Sequence, residues 1–277
     1  MINKMLEIAK ETVRNNYPNN EILGIFLYGS QNYGMDTEES DYDFKAILLP
    51  SLEEIIEGSK KISTSIEYEG GLIEVKDIRA YKDTLLKMNP AYIEILYTDY
   101  FWINEDLKDE WNKMIDIRDR FVNGGKLNHI RAILGMCYEK RKALTHPYPT
   151  IKHKIDKYGI DPKQLHHIAR LHYMFASYYK YGKSYKESLN ISNDFDGTLF
   201  KENIMELKIF DKYNKTIDEN IVFAKNMSDS LIGNIEDYMR KNEYSMYLDV
   251  TSFDEIRNIV NEIVKLSIIK SISKGTA

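Results

Sequence analysis

The chain has one cysteine, Cys137, in 277 residues. A lone thiol excludes an intramolecular disulfide framework and suits a reducing compartment. No helix start or activating basic cluster surrounds Cys137, so it reads as a small buried hydrophobe. No low-complexity linker and no internal repeat stands out. No stretch approaches the roughly 18 uncharged apolar residues that suggest a membrane span. The opening residues, MINKMLEIAKETV, are interrupted by Lys4, Glu7, Lys10 and Glu11 and lack the apolar core of a signal peptide. A cytoplasmic location without a membrane partner is expected.

An excess of positive charge is also missing, the net charge being −5. That argues against tight, indiscriminate binding to nucleic acid. The total hides segregation, however. Residues 126–186 carry 13 Lys and Arg against Glu139, Asp156 and Asp161, a local +10, and the remainder carries −15. All six histidines and eight tyrosines fall inside the same segment. It reads either as a helical stretch with a solvated basic face or as a surface meeting phosphates, and charge alone does not choose. Tyrosines interleaved with basic residues can stack on bases, but at helical spacing they are more often core.

What is present is the composition of a globular protein, 43% hydrophobic and 29% charged, in a chain long enough for two modest domains. Helical spacing of Ile2, Met5, Leu6, Ala9 and Val13 predicts a first helix over 2–16. EILGIFLY (21–28) and DFKAILL (43–49) read as buried strands, and 61–68 with 72–76 as a hairpin about Glu69-Gly70-Gly71. Asp77 is placed to cap the next helix, which Asn89-Pro90 breaks before a short helix over AYIEILY. After about residue 105 the strand signals fade, and long helices are expected at 126–145, 161–181 and 253–272. The fold expected is α+β: a small mixed sheet with flanking helices over 1–122, then an all-helical domain over 123–277.

The most informative stretch is Tyr28 to Phe44, YGSQNYGMDTEESDYDF. Alternation along a strand would put Asp41 and Asp43 on one face. Two carboxylates so placed repel unless a cation or a proton intervenes. Mg²⁺ suits such a pair, because it takes oxygen ligands and is usually held by a few carboxylates together with substrate phosphates. Gly29 permits close backbone approach, and Ser30 offers a hydroxyl and an amide to phosphate oxygens. A metal pair facing a triphosphate grip suits in-line phosphoryl chemistry.

The spacing Gly29, Ser30, Tyr33, Gly34, Thr37, Ser40, Asp41, Asp43 resembles the signature of the DNA polymerase β-like nucleotidyltransferases. It is closer to one branch, the predicted bacterial and phage nucleotidyltransferases associated with RNA ligases. The resemblance implies Mg²⁺- or Mn²⁺-dependent transfer of a nucleoside monophosphate from an NTP to a hydroxyl of RNA (tRNA included), protein or a small molecule. It implies that Asp41 and Asp43 hold metal and that Gly29, Ser30, Tyr33 and Ser40 bind nucleotide. A third carboxylate belongs on a neighbouring strand. Glu74, inside LIEVK, is the expected one, and Asp77 is the other candidate, with a ready alternative role as a helix cap. Asn89-Pro90 and Glu94 fit the same family pattern. Lys45-Ala46 departs from it, standing where members often have Arg-Gly.

In DPKQLHHIARL (161–171), Lys163, His167 and Arg170 share one helix face and resemble a Lys-x-x-x-His-x-x-Arg-Leu helix of the same branch. They are expected to assist in nucleotide binding; His166 and His172 read as packing or surface residues. Two other functions stand beside this one. The first is a nucleotide-binding regulator or toxin–antitoxin component without turnover, favoured by Glu at the third position and by Lys45. The second is a phosphatase, because DFDGTLF (194–200) resembles the opening of haloacid dehalogenase-type enzymes, though it lacks the apolar strand that such a motif needs.

Overall fold

The computed structural model describes residues 1–38, 40–191, 198–210, 216–243, 246 and 248–273. The phosphatase-like Asp194 therefore lies outside the described residues. The chain forms two compact units, Met1–Gly125 with Leu248–Ala277, and Lys126–Tyr247.

The first unit begins α1 (Ile2–Asn16), β1 (Ile22–Leu27), β2 (Phe44–Leu48), α2 (Leu52–Ile56), β3 (Ser63–Tyr68) and β4 (Gly71–Asp77). It continues with α3 (Ile78–Leu86), α4 (Pro90–Ile93), β5 (Phe101–Ile103) and α5 (Lys108–Gly124). The second unit holds α6 (Lys126–Ala143), α7 (Lys152–Tyr158), α8 (Pro162–Phe175), α9 (Tyr185–Leu189), α10 (Thr198–Ile209) and α11 (Ile217–Asn242). A last helix, α12 (Val250–Ser273), belongs to the first unit again. The fold is α+β, a five-stranded mixed sheet with flanking helices together with a helical unit.

The sheet runs β3-β4-β2-β1-β5. Its β2–β4 pair is parallel, and the other three pairs are antiparallel. Alternate residues explain both faces. Ile25 and Leu27, Phe44, Ala46 and Leu48, and Ile73 and Val75 bury against Met5, Leu6, Ala9 and Val13 of α1. On the other face Phe26 lies 4.7 Å from the Trp111 ring of α5, which also meets Tyr81 of α3. Helices on both faces explain why β1 and β2 read as continuous apolar runs. Lys45 is the exception within β2, and it is as buried as its neighbours.

Three features depart from the expectation. Phe101-Trp102-Ile103 adds an edge strand beside β1, with Gly24 opposite Ile103. Three residues are too few to show a period. Helices α5 and α11 also go beyond the expected set. In α5 charges stand at nearly half of the positions, and its buried side chains reduce to Trp111, Met114, Phe121 and Val122. Finally, the expected helical domain over 123–277 gives up its last helix. The apolar stripe Phe253, Ile256, Val260 and Ile263 of α12 packs against the first unit, with Phe253 and Phe121 rings 4.8 Å apart. Nothing in the periodicity of one helix names the surface that covers it.

In the second unit α8 packs on α6, α10 and α11. Cys137 is buried, and burial pushes its thiol up to about 12, as suits a packing residue. The basic segment is partly answered by acids of α11: Arg131 pairs with Glu243, and Arg141 with Asp229 at 2.8 Å. Of the eight tyrosines, Tyr173, Tyr178 and Tyr185 are core residues, whereas Tyr138, Tyr148 and Tyr181 are exposed. Among the described residues no helix is long and apolar enough to cross a membrane.

Candidate active site

Two residues past the end of β1 stands a glycine whose backbone no other residue adopts easily. Gly29 has φ 83° and ψ −150°, in a region essentially restricted to glycine. The chain then turns tightly, Asn32 and Tyr33 donating their amides to the Gly29 carbonyl and Met35 to that of Ser30. Ser30 is half-buried at the head of this turn.

Asp41 and Asp43 lie in an extended segment just ahead of β2, rather than within the strand. The regular ladder begins only at Phe44, yet single bonds reach back beyond it. Tyr42 N donates to Gly70 O (2.8 Å), and Tyr28 N to Asp43 O (3.0 Å). The Tyr68 hydroxyl donates to the Tyr42 carbonyl, and Asp43 Oδ1 accepts from Leu72 N at 3.1 Å. Both aspartates lie against Gly71, which has φ 146°, Asp41 through its Cβ and Asp43 through Oδ1. A methyl group there would stand 3.0 Å from Asp41 Cβ and 3.0 Å from Asp43 Oδ1, while one on Gly29 would stand 3.6 Å from Asp43 Oδ2. Asp43 thus lies between two glycines. Gly71 reads from sequence only as a turn residue; its closeness to the acidic pair depends on register.

Glu74 is engaged by other groups. It is the β4 partner of Lys45 in the parallel ladder. Its Oε2 meets Lys45 Nζ at 3.1 Å and accepts from the Tyr92 hydroxyl at 2.8 Å, while Oε1 accepts from the Tyr28 hydroxyl at 3.1 Å. Lys45 Nζ also lies 3.2 Å from the centre of the Tyr28 ring and 4.0 Å from Glu94 Oε1. Burial pulls the Lys45 ammonium below the usual lysine range, opposed by Glu94 and Glu74. Burial alone would raise Glu74, but Lys45 and the hydroxyls of Tyr92 and Tyr28 outweigh it and hold the carboxyl low. The phenols of Tyr28 and Tyr92 are both raised, burial first and Glu74 second.

Two residues expected to touch nucleotide have structural partners. Tyr33 is buried, and its hydroxyl donates to the buried Glu94. Ser40 Oγ accepts from Thr37 N at 2.8 Å and lies 3.1 Å from Thr37 Oγ1, closing a local turn. Asp77 is fully buried: Oδ1 caps α3 at Ala80 N (2.9 Å), and Oδ2 accepts from Ile62 N (2.9 Å) and Arg79 (2.8 Å). Its oxygens are committed to the fold.

Lys163, His167 and Arg170 all lie on α8 of the second unit, where Lys163 is exposed and the other two are half-buried. Burial, then Arg170, His166 and Lys163, hold the His167 imidazole well below its ordinary value. It is neutral at pH 7 and adds no cation to that face. His166 is buried with Nδ1 2.9 Å from Ile204 O, as a packing histidine should be.

Asp43 puts both oxygens beside Gly71 and Gly29, and Asp41 stands two residues away; hard oxygen donors of this kind suit a dication that takes its remaining ligands from phosphate and water. Glu74, expected as the third ligand, is paired with Lys45 and two tyrosine hydroxyls. Among the described residues no cluster of three His, Cys, Asp or Glu side chains is arranged to hold an ion.

No protein-family model matches the chain, and a comparison with curated proteins finds no match. Among solved structures, a nucleotidyltransferase-like protein from Exiguobacterium sibiricum 255-15 is 12% identical at a TM-score of 0.34, over 98% of this chain and 92% of that one. A likeness at that level assigns no role to any residue here.

Proposed function

We propose that the chain is a dication-dependent nucleotidyltransferase. One observation carries this reading: Asp43 sets its carboxylate between Gly71 and Gly29, at the start of the Ser30 turn, with Asp41 two residues away against Gly71. Acidic oxygens and a glycine-opened turn are thereby adjacent, as a triphosphate and its counter-ion require. A Mg²⁺ or Mn²⁺ on the two aspartates would polarise phosphate oxygens. Ser30 offers its hydroxyl and amide to the phosphate tail, and Gly29 keeps side-chain bulk away from it. The acceptor oxygen bonds to the α-phosphorus as the bond from that phosphorus to its bridging oxygen breaks. Pyrophosphate leaves with the electron pair, and the hydroxyl proton passes to Glu74 and on to solvent.

The test is pyrophosphate release from each labelled NTP with Mg²⁺, with and without tRNA or protein acceptors. Release abolished by Asp43→Asn is the expected result; NTP hydrolysis or transfer that survives Asp43→Asn overturns the reading. A second reading, nucleotide binding without turnover, is favoured by the engagement of Glu74 with Lys45 and two tyrosines. Tight NTP binding with no pyrophosphate released for any acceptor would select it.

A further inference from the structure

Resting on the dication site read at Asp41 and Asp43, we propose that Lys45 is the standing counter-ion of Glu74. The centre then takes one dication rather than two. A carboxylate has about four acceptor sites across its two oxygens. On Glu74, Oε2 is taken by Lys45 Nζ at 3.1 Å and Tyr92 Oη at 2.8 Å, and Oε1 by Tyr28 Oη at 3.1 Å. One site remains, on Oε1. A second dication bound there would stand beside a fixed ammonium, and the two like charges would repel.

Three observations fix Lys45 in that position. It is the register partner of Glu74 on the adjoining parallel strand, so the two backbones hold the pair together. Its side chain is 1% exposed and is sandwiched by the rings of Tyr28 and Tyr92, at 3.2 and 4.8 Å. Glu94, itself buried and held by Tyr33, offers a second carboxylate at 4.0 Å. An ammonium so enclosed does not swing out to admit an ion. Lys45 is accordingly a positioning residue, which keeps Glu74 aimed and denies it to metal.

The experiment counts ions without needing turnover. The full chain is dialysed to equilibrium against Mn²⁺ and a non-hydrolysable NTP analogue, and bound Mn²⁺ is measured per chain. One ion is expected in the wild type, with count and affinity unchanged in Glu74→Gln. Lys45→Met is expected to admit a second ion. Two ions in the wild type, or more than tenfold weaker Mn²⁺ binding in Glu74→Gln, would overturn the proposal. So would a folded Lys45→Met that still takes one. If circular dichroism shows that Lys45→Met does not fold, the Glu74→Gln result decides. A wild type that binds neither Mn²⁺ nor analogue overturns the nucleotidyltransferase reading itself, and this inference falls with it.

Discussion

Lys45 and Glu74 are partnered twice, as register neighbours on parallel strands and as an ion pair 3.1 Å apart. The backbone ladder therefore sets their distance. Breaking a buried pair by removing one partner costs about 3–5 kcal/mol, because the other charge remains uncompensated. Lys45→Ala leaves Glu94 buried without its cation, so a loss near the bottom of that range is expected in urea denaturation, Glu74 being partly hydrated. A change within experimental error would show that the pair contributes nothing to stability.

Asp77→Ala is expected to destabilise the chain by roughly 2–4 kcal/mol, combining a lost cap with an unpaired buried amide. Its oxygens serve Ala80, Ile62 and Arg79. Binding of Mn²⁺ by the folded variant should match the wild type. Weakened ion binding would return Asp77 to the list of ligands.

Gly29→Ala meets no steric obstacle, since the new methyl group would lie 3.6 Å from Asp43 Oδ2. The cost is in the backbone, about 1–3 kcal/mol for a residue forced into this conformation. Relief of that strain should move the Ser30 turn, so a fall in NTP affinity is expected in a titration even at temperatures where the variant is fully folded.

Acid should loosen the protein through its buried histidines. His129 bonds Tyr179 and Tyr185, and burial lowers its pKa from 6.5 to about 3; His166 and His172 are lowered to about 4. Below pH 6.5 the unfolded chain takes up protons that the folded chain refuses. Stability is therefore unaffected by these groups above pH 6.5 and falls as pH drops toward 4, by about 1.4 kcal/mol per pH unit for each histidine. Urea midpoints at pH 7, 6 and 5 should show the decline, and His129→Gln should flatten it. An equal slope in that variant would assign the loss to other groups.

Much of this was legible in the chain. The strands 21–28 and 43–49, the hairpin about Gly70-Gly71 and the Asp77 cap follow from local patterns that tertiary contacts reinforce. The turn at Gly29 and the nearness of Asp43 to it follow from closeness in sequence, whereas Asp41 and Asp43 fall ahead of β2 and not on one strand face. What was not legible depends on register and on distant surfaces. Gly71 meets the aspartates only because β2 and β4 align as they do. Tyr33 and Ser40 look like ligand residues by position, but one reaches Glu94 and the other Thr37. Lys45 was visible as a charge in an apolar strand, but its partner was not.

The amide of Asp249 bonds the Gly124 carbonyl at 3.0 Å, so the chain leaves the first unit and re-enters it at one point. The helical unit is thus an insert threaded through a single doorway. Such an arrangement lets the sheet unit close with a short turn joining residues 125 and 248. Residues 126–247 could then be excised and the two ends joined without cutting any strand of the sheet or the segment that carries the acidic pair.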